Sequence, residues 1–69
     1  MVDVLNAETA KAYAVSAIST QIVITSVEAT KDADEPTFDV GFTYRHEGRW
    51  YDGCMTVWLE RDGRLYGEW

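Results

Sequence analysis

The sequence predicts an α+β domain: one N-terminal helix packed on a four-stranded antiparallel meander, α-β-β-β-β, with the strands in the order 1-2-3-4. Three observations predict it. Ala7 to Ser19 is rich in alanine and holds neither Gly nor Pro, which favours helix. Phe38, Val40, Phe42 and Tyr44 alternate with Thr37, Asp39, Gly41 and Thr43, the period of a strand with one buried face. Glu47-Gly48 and Asp62-Gly63 each stand between alternating apolar runs. An x-Gly pair in that setting signals a hairpin, because a tight turn needs positive φ.

The elements follow in chain order. Asn6 is placed to cap the helix, and Glu8 puts an acid in its first turn, where the helix dipole favours negative charge. Ala10, Tyr13, Ala14, Ala17 and Ile18 fall on one stripe at helical spacing. Most of that stripe is small, which allows close approach to a sheet. Val2, Val4 and Leu5 precede the cap as an apolar lead-in or hydrophobic staple. Gln21 to Thr30 turns to β-branched residues and reads as the first strand. Ile22 and Ile24 share one alternating set and Val23 and Val27 the other, a pattern expected of a strand covered on both sides. Lys31 to Pro36 is a polar loop. Thr37 to Arg45, Arg49 to Glu60 and Leu65 to Trp69 complete the sheet. Short connections make sequential strands neighbours.

Centring tight turns on the two Gly pairs predicts the register. Tyr44 then faces Tyr51, Phe42 faces Gly53, Val40 faces Met55 and Phe38 faces Val57. Leu59 faces Tyr66, Trp58 faces Gly67 and Thr56 faces Trp69. On this register the helix covers the face of Phe38, Val40, Phe42 and Met55. Trp50, Trp58 and Trp69 share the opposite face with Cys54 and Leu65, among Thr37, Asp39, Thr43, Arg45, Asp52 and Glu60. Gly53, opposite Phe42, reads as a bend or as a place where an aromatic ring lies over the backbone.

Size and charge bound the function. The chain has 69 residues, read as a single domain spanning 1-69, with a formal net charge of −6. That balance lacks the basic footprint with which proteins displace counterions from nucleic acid. It serves solubility, or it steers the chain to a basic protein surface. One cysteine excludes an internal disulfide and fits a reducing compartment. No apolar run approaches the roughly 20 residues that span a bilayer, and the N-terminus lacks the pattern of a signal peptide. The expectation is a cytoplasmic protein without membrane partner, cofactor or metal.

Candidate chemistry is sparse. His46, the only histidine, stands at a hairpin end beside Glu47. A general base there lacks a second catalytic group, and an exposed turn residue is the simpler reading. Cys54 lies in mid-strand, far from the base or helix N-terminus that would activate a thiol. Asp32, Asp34 and Glu35 form an acidic cluster without the glycine and terminal glutamate of a calcium loop. Tyr13, Tyr44, Tyr51 and Tyr66 read as residues at the rim of the core. With Glu28 and Asp39, the cluster makes an acidic arc at one end of the first hairpin. It reads either as a surface for Lys and Arg or as a charged edge that blocks unwanted strand pairing.

The sequence therefore predicts a non-catalytic protein-interaction module, a small acidic inhibitor or adaptor. Chains of this description are frequent among phage-encoded inhibitors of host defence and host nucleic-acid enzymes. Trp50, Trp58 and Trp69 would anchor a basic partner, with Glu28, Asp32, Asp34, Glu35 and Asp39 steering it. Two alternatives use the same residues differently. One is a homodimeric accessory domain joined through the tryptophan face. The other is a small ligand-binding protein or enzyme using His46, Tyr51 or Cys54.

Overall fold

The computed structural model describes residues 4–30 and 36–69. Helix α1 (Ala7–Ala17) is followed by strands β1 (Ile22–Thr30), β2 (Thr37–His46), β3 (Arg49–Leu59) and β4 (Leu65–Glu68). All neighbouring strands are antiparallel, in the order β1-β2-β3-β4, and α1 packs on one face of the sheet.

Local chemistry starts the helix and packing ends it. Asn6 Oδ1 accepts from the Thr9 amide at 2.9 Å, and Thr9 Oγ1 accepts from the Asn6 amide at 2.9 Å. This reciprocal capping box satisfies two amides that the first turn leaves without partners. The helix stops at Ala17, short of Ser19. Ile18 turns extended (φ −100, ψ 120), its amide still bonded to the Ala14 carbonyl at 3.2 Å. Its side chain enters the core, and the exit is tied to β2. Thr20 Oγ1 donates to the Arg45 carbonyl at 2.7 Å, and the Arg45 amide donates to the Gln21 carbonyl at 3.2 Å.

The core lies between α1 and the sheet. Ala10, Ala14 and Ile18 bury against Val40, Phe42, Met55 and Val57, as the apolar stripe predicts. Tyr13, Ile22, Ile24, Val27, Phe38, Tyr44 and Leu65 pack at its margin. Ala17, expected on the stripe, is exposed. Alanine side chains let the helix backbone come close, and Gly67 extends that closeness to β4. A Cβ there would stand 2.6 Å from Tyr13 Cε1 and 2.9 Å from Met55 Sδ. The Phe42 ring lies over Gly53, where a Cβ would stand 2.7 Å from Cε2.

The β2–β3 register is the expected one, with Tyr44 opposite Tyr51, Phe42 opposite Gly53 and Val40 opposite Met55. Glu47 (φ 50) and Gly48 (φ 78) both take the left-handed conformation that a two-residue primed turn requires.

Two expectations are corrected. The β3–β4 register differs by one residue: Leu59 pairs with Leu65, Trp58 with Tyr66, Val57 with Gly67 and Thr56 with Glu68. The turn is longer than the Asp62-Gly63 pair alone. The Gly63 amide donates to the Glu60 carbonyl at 3.0 Å, and the Glu60 amide donates to the Arg64 carbonyl at 2.9 Å. Arg61, Asp62 and Gly63 thus form the loop, a type I turn closed by a left-handed glycine (φ 81). One residue of slip exchanges the faces of β4. Leu65 and Trp69 join the helix side, and Tyr66 leaves it. Trp69 therefore does not share a face with Trp50 and Trp58. Its ring meets Phe42 at 5.3 Å and Tyr44 at 5.1 Å between centroids, both edge-on.

The second correction concerns β1. Ile24 pairs with Phe42 but Ser26 pairs with Gly41, so Thr25 is bulged out of the ladder. The extra residue carries Val27 onto the side of Ile22 and Ile24, opposite Val40. Only Val23, 51% exposed, is left as a large apolar residue on the other face of this strand. The strand is covered on one side, not two. Gly41 gives the bulge room, since a Cβ there would crowd the hydroxyls of Ser26 and Thr25.

Gly67→Ala places a methyl group into the Tyr13–Met55 contact. We expect a loss of about 1–3 kcal/mol, the usual cost of overpacking a core, read as a lower urea midpoint with unchanged slope. Full stability in this variant contradicts the close helix–β4 packing.

Candidate functional site

Ladder pairing sets the residues of the sheet's outer face, the one away from α1, in rows that cross the strands. Thr30, Thr37, Trp58 and Tyr66 form one row. Beside it run Glu28, Asp39, Thr56 and Glu68. The next row is Ser26, Gly41 and Cys54, then Val23, Thr43 and Asp52, and last Arg45 and Trp50 at the β2–β3 turn. No described helix or strand lies on these rows.

Hydrogen bonds hold several of these groups in place. Asp39 accepts from Thr56 Oγ1 at 2.9 Å and from Thr30 Oγ1 at 3.3 Å. Its carboxylate is thereby fixed in the middle of the face, and the half-buried threonines supply the donors that a partly buried anion needs. Trp58 Nε1 donates to Glu60 Oε1 at 2.7 Å, and the Tyr66 hydroxyl donates to Asp62 Oδ2 at 2.9 Å. Each aromatic of this row is thus tethered at its polar tip to a carboxylate near the β3–β4 loop. At the other end, the Arg45 guanidinium lies 6.0 Å from the centre of the Trp50 ring, within reach of a cation–π contact. Trp50 is 48% exposed and Tyr66 40% exposed.

The expected partner-binding residues thus divide. Trp50, Trp58, Glu28 and Asp39 lie together on the outer face, the last two as a cross-strand pair. Trp69 lies on the opposite side, beyond the shelter of α1 and 59% exposed. It belongs to a band of rings in which Tyr44 stacks on Tyr51 at 5.5 Å and Tyr51 meets the His46 ring at 6.4 Å. Asp32, Asp34 and Glu35 lie outside the described residues. Glu68 and Tyr66 join the face, and their place on it follows from the true length of the Asp62-Gly63 loop. Asp52, expected on this face by alternation, stands opposite Thr43.

His46 and Cys54 offer little chemistry. His46 Nε2 is 3.8 Å from Glu47 Oε1, with both side chains exposed. Cys54 is an exposed free thiol in the row of small residues. Among the described residues, no group of three or more His, Cys, Asp or Glu is placed to hold a metal ion. Also among them, no helix is long and apolar enough to cross a membrane.

Asp62 is the electrostatic anchor of the β3–β4 loop. Its Oδ1 accepts from the Arg64 amide at 2.9 Å. That bond and the one from the Tyr66 hydroxyl hold its pKa below the ordinary carboxylate value. The same carboxylate favours the protonated phenol and raises the Tyr66 pKa. The depressed Asp62 value makes its contribution to stability complete at neutral pH. That contribution is lost as acid takes the pH below the ordinary carboxylate value and through the folded one. For Tyr66 the sense is reversed: its contribution is present below the ordinary phenol value and lost as pH rises through the folded value. A carbon-detected NMR titration is expected to show Asp62 protonating below the ordinary carboxylate value, with Tyr66→Phe moving it upward. An Asp62 midpoint that ignores Tyr66→Phe contradicts the pairing and the turn built on it.

Comparison of the chain with protein-family models, with curated proteins and with solved structures finds no match.

Proposed function

We propose that the chain is a non-catalytic protein-interaction module, a small acidic inhibitor or adaptor that docks a basic protein surface on the outer face of its sheet. The row Glu28–Asp39–Thr56–Glu68, bordered by the Trp58–Tyr66 row, is the observation that carries this reading. An exposed tyrosine and a half-buried tryptophan beside a row of carboxylates, with Asp39 held in place, match the anatomy of an interface. The rings supply apolar area and desolvated anchors, and the charges supply orientation and rate.

The same charges favour a foreign partner over a second copy. Glu28, Asp39, Asp52 and Glu68 face outward with only Arg45 against them in these rows. Two such faces pressed together bring like charges into a low-dielectric layer, which costs more than it does in water. A protein whose groove otherwise holds nucleic acid presents the complementary sign, which fits an inhibitor directed at such enzymes.

Salt and aromatic truncation test the reading together. A natural partner retained by the immobilised chain at low salt is expected to be released toward about 1 M, where the screening length falls to about 3 Å. The Trp50→Ala/Trp58→Ala double variant, its fold checked by circular dichroism, is expected to lose that partner. Retention unchanged by salt, or by removal of both indoles, overturns the proposal. A stable dimer in sedimentation velocity that dissociates in the same variant replaces it with the homodimeric alternative.

A further inference from the structure

The sheet is unequal on the two sides of the β2–β3 hairpin. β1 accompanies β2 as far as Ile22 opposite Tyr44, level with Tyr51. β4 accompanies β3 only over Thr56–Leu59. Among the described residues, no strand pairs with the β4 side of β3 from Arg49 to Met55. Exposure follows the same boundary. Trp50, Tyr51, Asp52 and Cys54 are exposed, whereas Met55 and Val57 are buried where β4 begins.

Hydrogen bonding tells which way the backbone of this stretch points. The Glu60 amide donates to the Arg64 carbonyl, so the even-numbered residues of β3 turn their backbone groups toward β4. The odd-numbered ones turn theirs toward β2, as the pairing of Arg49 with His46 beside a two-residue turn requires. Trp50, Asp52 and Cys54 therefore each direct an amide and a carbonyl along the line that β4 would continue. A regular run of such groups is a template for another strand. The remaining edges are blunted. β1 carries the bulge at Thr25, and β4 has only 4 residues. The β2–β3 ladder beside the exposed stretch has no bulge.

From this geometry we infer that the β3 edge from Trp50 to Cys54 takes up an extended segment of the partner protein as an added strand, antiparallel to β3 and in line with β4. The inference rests on the interaction reading above and names the element that the partner presents. The backbone sets the occupant first, because donors and acceptors repeated about every 6.8 Å match an extended chain. Side chains set the rest. A residue opposite Asp52 stands on the outer face, and no described cation pairs with that carboxylate. A residue opposite Cys54 stands two positions on from Glu68 along the line of β4, on the same face. Lysine or arginine suits both places. On the helix side, residues opposite Tyr51 and Gly53 come beside exposed rings. One is Tyr51 itself, and the other is Trp69, which meets the Phe42 ring that lies over Gly53. Apolar side chains suit these places. The segment thus alternates basic and apolar residues. A second copy of this chain fits poorly, since the register that pairs the whole edge with itself sets Asp52 against Asp52.

The probe is a designed peptide with Lys-Val-Lys-Val-Thr at its centre, set in turn opposite Cys54, Gly53, Asp52, Tyr51 and Trp50. Its control carries N-methyl groups on the second lysine and the threonine. These remove the donors to the Asp52 and Trp50 carbonyls and leave the side chains and charge unchanged. Tryptophan fluorescence gives the affinity, and amide hydrogen exchange gives the location. In the chain alone, the Trp50, Asp52 and Cys54 amides are expected to exchange faster than those of Tyr51 and Gly53, which bond to β2. The plain peptide is expected to slow them and to bind about tenfold more tightly than its control. Asp52→Lys is expected to weaken it about tenfold, as an opposed pair becomes a like-charge pair.

Equal binding of the two peptides overturns the added strand and leaves the basic-surface reading standing. Binding without protection of Trp50, Asp52 and Cys54 overturns the edge as its location. If neither peptide binds at low salt, the added strand fails, and the salt-sensitive retention of a natural partner judges the basic-surface reading separately. Slow exchange at these amides in the chain alone shows the edge already paired and overturns it as a docking site. A dimer in sedimentation then gives the edge to a second copy.

Discussion

The burial of Val40, Phe42, Met55 and Val57 under the alanine stripe of α1 is the contact on which the rest of the structure depends. It decides which side of the sheet is inside. Every outward residue is then assigned by alternation, because neighbours along a strand point to opposite faces. A stripe of larger residues would hold the helix farther off and leave Gly67 and Tyr13 without their close fit. The core is small, and a chain of this length buries a modest share of its surface. Loss of one such contact is therefore felt throughout.

That constraint acts outward through the two irregular points of the sheet. The bulge at Thr25 allows Ile22, Ile24 and Val27 to reach the same side of β1 despite their spacing. The longer β3–β4 loop allows Leu65, Gly67 and Trp69 to face α1 or extend its surface. Each adjusts the parity of a strand by one residue so that its apolar set meets the helix. Without these shifts both strands would place apolar groups on both sides. With them, the outer face is left mainly polar, with aromatics at its two ends.

The outer face inherits its pattern from the same parity. Glu28, Asp39 and Glu68 come from three strands and are far apart in the chain, yet they form one row because β1, β2 and β4 are in register with β3. Thr56 and Thr30 fill the half-buried ground around Asp39 and orient its carboxylate. The aromatics are similarly tethered by Glu60 and Asp62. Preorganisation of this kind lowers the entropy lost on binding, which often decides affinity more than area does.

The sequence by itself determined the fold class, the capped helix, the buried helix stripe apart from Ala17, and the whole β2–β3 hairpin. Each of these rests on local chemistry: alanine propensity, the Asn6 cap, clean alternation, and a turn in which both Glu47 and Gly48 take positive φ. It also placed Trp50, Trp58 and Asp39 on the face away from the helix. Only the tertiary structure decided where Trp69, Tyr66 and Val27 point. An Asp-Gly pair serves equally as a two-residue turn or as the end of a longer one, and β-branched residues tolerate a bulge at any of several positions. The choice falls to whichever register buries more apolar surface against α1, and that comparison exists only once the helix and all four strands are assembled.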